Sequence, residues 1–587
     1  MTNILRYLNK KEWALIGVIL AFIIIQVWFD LEVPAYMQKI TILVTTPGSD
    51  MDVVWSNGKN MIFCALGSLA TAVVVGFIAA KVGASFAQRL RSMQFNKVDS
   101  FSMAEIDKFS IASLITRSTN DVMQVHFLLV MGIQIILKAP ILSVWTVLRV
   151  SGSGLEWTMA IAVAIAIIIV VFAIVIIKVV PKFKMMQSLI DNINTVTREN
   201  LTGLPVVRAY NAEEYQEAKF EKANANLTYT QLYTTRAMAT AIPLIDFIMR
   251  AVMISIYWIG AILIGSAATV ADAGILYANM IVFVTYAMMI MMSIMMILVL
   301  FIMLPRAQVA AGRIGEVIDT EPTIKDGKVT DPGNGRAGEV EFRNVSFKYP
   351  GGADYVLRDV NFSVGHGETI AFIGSTGSGK STLINLVPRF YDATEGSVLI
   401  DGIDIREYKL ESLYNKIGYI PQKSVLFSGT VASNVAYGDS ARGQATEQDI
   451  EKAIRVAQGK DFVEEMDKKY ESDISRGGTN ISGGQKQRLS IARAVCKEPE
   501  IYVFDDSFSA LDYKTDRALR TALKKETQGV TSMIVAQRIG TIMDADKIVV
   551  LDEGKVVGIG KHKDLLKSCK VYREIATSQL SEKELAI

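Results

Sequence analysis

The sequence predicts a chain in two parts: an α-helical six-span transmembrane bundle followed by an α/β P-loop nucleotide-binding domain. Three observations predict it. Long apolar runs repeat up to about Phe301 and then cease. Around Pro305 charges, glycines and turn pairs appear, and from about Val340 short apolar strands alternate with helices. A glycine-rich loop ending in Gly-Lys-Ser lies between one such strand and a helix. Composition agrees with this division. Of 587 residues, 51% are hydrophobic and 20% are charged, short of the ~25% charge of ordinary soluble domains. Lys+Arg 61 against Asp+Glu 59 leaves a net charge of +2, so no electrostatic case for a nucleic-acid partner arises. Cys64, Cys496 and Cys569 are too scattered for a disulfide framework or a zinc site. His126, His366 and His562 are the only histidines, which nearly excludes histidine-cluster chemistry.

The bundle comes first. A bilayer core needs ~20 apolar residues per helix. Six runs reach that length: about Trp13–Glu32, Met61–Ala80, Phe127–Val150, Trp157–Val180, Ala241–Gly265 and Leu276–Leu304. Buried soluble helices are the alternative, and six runs this long argue against it. Lys and Arg gather at the N-terminus (Arg6, Lys10, Lys11), after the second run (Lys81, Arg89, Arg91, Lys97) and after the fourth (Lys178, Lys182, Lys184, Arg198). The connections after the first, third and fifth runs hold Asp50, Asp52, Glu156 and Asp272 instead. By the positive-inside rule the chain is a multi-pass cell-membrane protein with both termini and the nucleotide domain cytoplasmic. The first run has no small-residue cleavage site after it and reads as a span, not a removed signal. The two cytoplasmic connections look helical with mixed charge, as over Phe109–Asp121, so the bundle helices are expected to continue beyond the membrane. The expected boundaries are a transmembrane domain over 1–305, a linker over 306–338 with the turn pairs Asp326-Gly327 and Pro332-Gly333, and a nucleotide-binding domain over 339–587 ending in a polar tail.

The nucleotide domain carries the chemistry. Thr369–Ile373 is a buried-strand run, and directly after it stands Gly374-Ser375-Thr376-Gly377-Ser378-Gly379-Lys380-Ser381-Thr382. The pattern is that of a phosphate-binding loop: glycines turn backbone N–H groups inward, Lys380 offers a point charge to the β- and γ-phosphates, and the Ser381 hydroxyl can bind Mg²⁺. A helix start at Ser381 adds its positive dipole end. A plain glycine-rich turn is the competing reading, and the flanking strand and helix weigh against it. A second strand, Ile501–Phe504, ends in Asp505 and Asp506. An acid there can hold the Mg²⁺ shell, and the next can address the attacking water. Between the two motifs lies Ser482-Gly483-Gly484-Gln485 before a helix, a second anion site by the dipole argument or else an ordinary N-cap. Two anion sites for one loop suggest a nucleotide held in trans.

In this order the pieces resemble the ATP-binding cassette family, and the resemblance covers nearly the whole chain. A six-helix membrane domain followed by one cassette is similar to an ABC exporter half-transporter. Tyr349 matches the aromatic that stacks on adenine. Gln422, in Tyr419-Ile-Pro-Gln422, matches the Q-loop glutamine near Mg²⁺. Ser482–Gln485 matches the signature, and Asp512, in Ser509-Ala-Leu-Asp512, the D-loop. Ile115–Asp121 and Glu199–Pro205 resemble segments near the coupling helices. ATP and Mg²⁺ are the implied cofactors.

Three departures from the family pattern bear on mechanism. Asp506 stands where the family usually has glutamate, and Gln537 where it usually has the switch histidine. Asp is one methylene shorter than Glu, and a misplacement of about 1 Å can lower a rate ~10²-fold. Gln can hydrogen-bond a γ-phosphate but carries neither proton nor charge. Arg476 stands where exporters often have an acid before the signature. Family cassettes work as head-to-tail pairs, so a homodimer would hold two poor sites and waste an intact signature. The resemblance therefore implies a heterodimer with a second half-transporter, similar to bacterial heterodimeric multidrug exporters. This chain would bind ATP at its own degenerate site and complete the partner's site through Ser482, Gly483, Gly484 and Gln485. A homodimeric lipid or peptide exporter, or a regulatory nucleotide-binding membrane subunit, is the alternative.

The bilayer is the first partner of such a chain, and an apolar or amphipathic substrate, drug-like in this reading, the second. Met280, Met288, Met289, Met291, Met292, Met295, Met296 and Met303 crowd the sixth run. Methionine suits promiscuous apolar surfaces, though it also serves as lipid-facing filler. Asp30 and Glu32 near the outer end of the first run could attract cations or mark the boundary. Asp246 and Arg250, four residues apart in the fifth, share a helix face and can pair.

Overall fold

The computed structural model describes residues 6–46, 48–151, 155–330, 337–438, 443–509, 512–526 and 528–580. Pro332-Gly333, Ala510, Leu511 and the tail beyond 580 lie outside the described residues. Two compact units divide the chain: Met1–Lys97 with Ala112–Asp319, and Val98–Ile111 with Thr320–Ile587.

The helices up to Asp319 are α1 (Lys10–Thr45), α2 (Met51–Asp99), the short α3 (Met103–Phe109), α4 (Ile111–Ser151), α5 (Leu155–Thr202), the short α6 (Leu204–Ala209), α7 (Glu213–Gly265) and α8 (Val270–Asp319). The six long ones each contain a stretch long and apolar enough to cross a bilayer, as the six runs predict. α1 starts at a capping box. The Asn9 side chain accepts the Glu12 N–H, and the Glu12 carboxylate accepts the Asn9 N–H. The same carboxylate, 3% exposed, takes Arg89 of α2 at 2.6 Å, so one side chain starts α1 and ties it to α2.

Pro34, Pro140, Pro181, Pro243 and Pro305 all lie inside helices. Each removes a backbone donor, which packed neighbouring helices make tolerable in membrane spans. α8 thus passes through Pro305, where the composition changes, and residues 306–319 are its last turns. α4 widens into π-helical turns at Arg117–Asp121 and Leu128–Gly132, a rare departure from α geometry. A Cβ on Gly83 of α2 would stand 2.3 Å from Val130 Cγ2 in the second of these turns, so α2 approaches it only as glycine. Trp157, 1% exposed, anchors the core among α5, α7 and α8: its Nε1–H donates to Ile256 O at 3.1 Å, and its ring lies 4.9 Å from that of Phe283.

The second unit contains two main sheets. β1 (Val340–Phe347), β2 (Leu357–Val364), β4 (Glu395–Ile400) and β5 (Ile403–Asp404) form an antiparallel sheet in the order β2-β1-β4-β5. β3 (Thr369–Gly374), β6 (Ile417–Ile420), β9 (Ile501–Asp505), β10 (Thr531–Val535), β11 (Lys547–Asp552) and β12 (Lys555–Gly560) form the other, in the order β12-β11-β3-β10-β9-β6. A minor pair joins β7 (Gly429–Thr430) to β8 (Asp473–Ile474). In the six-stranded sheet all pairings from β11 to β6 are parallel, and β12 alone is antiparallel. β9 is buried throughout, as a parallel strand covered on both faces must be, which is why Ile501–Phe504 reads as an unbroken apolar run. α3 packs within this unit, where Glu105 Oε1 accepts the Thr323 N–H at 3.2 Å.

Candidate functional site

Parallel strands deliver their carboxyl ends to one edge, where open α/β sheets hold ligands. The run β3-β10-β9-β6 therefore sets four chain segments side by side: the candidate phosphate loop after β3, Gln537 after β10, Asp505 and Asp506 at the end of β9, and Gln422 after β6. Register fixes their level, since Val535 of β10 pairs with Phe372 of β3 and with Asp505 of β9.

The loop's shape follows from its glycines. A Cβ on Gly374 would stand 2.0 Å from Leu551 O, so the strand leaves the sheet there only as glycine. Gly379, at φ +96, forms the left-handed turn that starts helix α9 (Lys380–Asn385). Ser375, Thr376 and Gly377 are exposed at the loop's crest, and Ser378 is buried beneath it. Lys380 Nζ donates to Gly374 O at 2.9 Å and Ser375 O at 2.8 Å. Burial lowers its proton affinity, and Asp506 and Asp505 oppose that fall. Thr382 Oγ1 lies 2.9 Å from the Tyr349 hydroxyl.

Ser381 Oγ donates to Asp505 Oδ1 at 2.8 Å. Burial pushes the Asp505 carboxyl above the usual range, partly offset by that bond. The cluster fits Mg²⁺: a hydroxyl, one carboxylate and the nearby Gln422 amide are oxygen donors, with waters and phosphate left to complete the shell. Ser381, Asp505 and Gln422 would hold such a cation, which would supply charge neutralisation to a bound phosphate. Asp506 turns in the left-handed region at φ 46, which Asp tolerates better than most residues. Its Oδ2 accepts from Gln537 Nε2 at 2.6 Å and from Gln422 Nε2 at 3.4 Å. Burial raises this carboxyl, and the two amides work against the rise.

Ser482, Gly483, Gly484 and Gln485 stand apart from this cluster. They open helix α10 (Gly483–Cys496) through a capping box, with the Gln485 N–H donating to Ser482 Oγ and the Ser482 N–H donating to Gln485 Oε1. Among the described residues their bonds stay within that turn. Asp512 likewise accepts the Thr515 N–H at 3.0 Å in its own turn. Arg476 is exposed, with no ion pair among the described residues.

Several supporting residues escaped the sequence reading. Gln579, on the C-terminal helix α11 (Lys570–Gln579), donates to Gln537 O at 2.8 Å and accepts the Ile539 N–H at 2.8 Å, clamping the loop after β10. The Tyr391 hydroxyl donates to Asp107 of α3 at 3.0 Å, and its ring lies 5.3 Å from that of Tyr349. Ser424, just past Gln422, donates to Gln487 of α10. In the bundle, Asp30 pairs with Lys138 at 3.1 Å and Glu32 with Arg149 at 2.5 Å, so the acids of α1 meet cations of α4. Asp246 and Arg250 pair at 2.8 Å, as their spacing predicts.

A six-span helical bundle and a P-loop nucleotide fold on one chain define a nucleotide-driven membrane protein. Residues 16–294 match the ABC transporter transmembrane region, and residues 357–509 match the ABC transporter family. The chain belongs to the ABC transporter family, with membrane and ATP-binding parts fused as in an exporter half-transporter, and it is an ABC-type ATPase. It is 39% identical over 522 residues to an uncharacterized ABC transporter ATP-binding protein of Mycobacterium tuberculosis, covering 88% of this chain and 87% of that one. It is 33% identical over 503 residues to the ATP-dependent lipid A-core flippase of Pseudomonas fluorescens, covering 85% of this chain and 81% of that one. Its fold is similar to that of a bacterial Atm1-family ABC exporter with ATP bound, at a TM-score of 0.79 and 23% identity over 97% of this chain and 99% of that one.

Proposed function

We propose that this chain is the degenerate-site half of a heterodimeric exporter of amphipathic compounds, in a cell membrane with both termini cytoplasmic. The observation that carries this reading is the bond from Gln537 Nε2 to Asp506 Oδ2 at 2.6 Å. Two of the three residues that depart from the family pattern, Asp506 and Gln537, occupy each other. The short carboxylate is tied back by two amides, and Gln537 has no proton to relay. The site so built retains ATP through Lys380, Ser381 and Tyr349 and turns it over slowly. Ser482 to Gln485, whose bonds stay within their own turn, serve the partner's nucleotide.

The substrate half of the proposal draws on α8. Met288, Met292 and Met296 are all exposed and four residues apart, so they form one flexible, polarizable stripe. Asp30 and Glu32 meet cations of their own chain, which weakens the reading of that end as a cation attractor. A second reading is a homodimeric lipid exporter, favoured by the likeness to a lipid A-core flippase over 85% of the chain.

ATPase assay of the purified chain alone, and again with a half-transporter carrying glutamate and histidine at the two positions, separates them. The expected result is weak hydrolysis alone and full turnover in the pair. Fast hydrolysis by the pure chain alone sinks the asymmetric reading and leaves the homodimer.

A further inference from the structure

The helices α5 and α7 enclose a cleft of about 500 Å³ that the nucleotide chemistry does not use. Lys178, Arg236 and Tyr233 give it charge and polarity, and the rest of its wall is mostly apolar, with Val175, Leu232 and Leu244, apart from Tyr229 and Thr240. Its depth in the bilayer follows from helix geometry. Lys178 stands about 33 Å along α5 from Glu156, roughly the ~30 Å of a hydrocarbon core. Arg236 stands about 43 Å from the Gly265 end of α7, within the ~40–45 Å that includes both headgroup layers. Both cations therefore sit at headgroup level, at the end of the bundle that the Lys and Arg distribution assigns to the cytoplasm. Tyrosine favours that level as well, and Lys182 Nζ adds a third positive charge 5.8 Å from the Tyr233 ring centre. Among the described residues neither Lys178 nor Arg236 has a carboxylate partner.

We propose that this cleft holds a phosphate-headed anionic lipid. The phosphate lies between Lys178 and Arg236, and an acyl chain runs along Val175 and Leu244. Charge complementarity selects the occupant: basic pockets between spans on the cytoplasmic side attract anionic headgroups, whereas a zwitterionic lipid leaves the two cations without net compensation. The apolar wall selects a lipid over a free phosphate. The site differs from the methionine stripe of α8 in helix and in chemistry, and it stands whether the chain works as a homodimer or a heterodimer.

The test places the full chain in nanodiscs of phosphatidylcholine with a minority of phosphatidylglycerol and counts the lipids retained after release by native mass spectrometry. Phosphatidylglycerol is expected to be retained over phosphatidylcholine. Lys178→Ala and Arg236→Ala should each lower that preference about fivefold, the double variant should abolish it, and Lys178→Arg should keep it. All these positions are exposed, and unchanged nucleotide photolabelling verifies that the variants fold. Equal retention of the two lipids by the unaltered chain overturns the proposal. So does an equal loss from Lys222→Ala, an exposed cation about 21 Å further along α7, because that is diffuse charge and not a site. Displacement of the lipid by glycerol phosphate as readily as by short-chain phosphatidylglycerol overturns it too, by assigning the cleft to a soluble anion.

Discussion

Gly483→Asp, carried by this chain alone, is expected to abolish ATP turnover in the assembled pair while leaving ATP bound at Lys380. The substitution is sterically free, because a Cβ at Gly483 meets nothing within 4 Å. It also suits the helix. An acid in the first turn of α10 interacts favourably with the helix dipole, by about 0.3–1 kcal/mol. Damage to the fold is thus not the reason for a lost activity. The reason is electrostatic: the same turn that accommodates a carboxylate is proposed to face the partner's γ-phosphate. A negative charge there repels the nucleotide and removes the anion-binding character of the turn. Loss of a single such donor typically lowers a rate on the order of 10²-fold or more. Ser482→Arg should act the same way by filling the space. Asp506→Asn is the necessary comparison, and its effect should be far smaller, since that carboxylate is already held by Gln422 and Gln537. ATPase of the pair, with each variant on this chain only, decides the matter. Equal damage from Asp506→Asn and Gly483→Asp means that this chain hydrolyses its own ATP.

Lys380→Ala should have the next largest effect, and on a different quantity. Nucleotide retention at this chain's site should fall roughly 10- to 100-fold, the worth of one hydrogen bond to a charged group, while hydrolysis at the partner's site stays partly alive. The ammonium bonds to carbonyls within its own loop, part-buried at Gly374 O and exposed at Ser375 O, so its truncation leaves no deeply buried partner charge. Counting trapped nucleotide per pair reads the effect directly. Unchanged retention would mean that Gly374–Thr382 is not the phosphate loop.

What could be read from the sequence, and what could not, divides by how local the cause is. The six spans were legible because the bilayer demands apolar density within one stretch of chain. The loop was legible because its glycines answer needs at their own positions, the left-handed turn at Gly379 and the close approach of Gly374 to Leu551 O. The pairing of Asp246 with Arg250 needed only helical spacing. Other features depend on partners far along the chain. Asp30 and Glu32 gave no hint of Lys138 and Arg149, which sit in another apolar run. Asp107 gave none of Tyr391, and Gln537 none of Gln579. Pro305 marks in the sequence only a change of composition, yet α8 runs on through it, because packing outweighs one lost backbone bond. The strand order that gathers Gln422, Asp505, Asp506 and Gln537 follows from no local pattern at all.

That strand order also sets a timetable for biosynthesis. β3 ends at Gly374, but its two neighbours in the sheet are β10 and β11, made from Thr531–Val535 and Lys547–Asp552. When β3 leaves the ribosome, neither edge can be paired for more than a hundred further residues. At about 5–20 residues per second, the strand waits roughly 8–30 seconds with both edges open. The six spans before it can insert meanwhile, whereas the pairing of Gly374 at the loop's start with Leu551 forms only once β11 has been made. Nucleotide competence is therefore among the last properties a nascent chain gains. Until then a bare apolar strand is exposed to pairing with other chains, so the nucleotide domain, and not the membrane bundle, is where chaperone protection of the unfinished chain is needed.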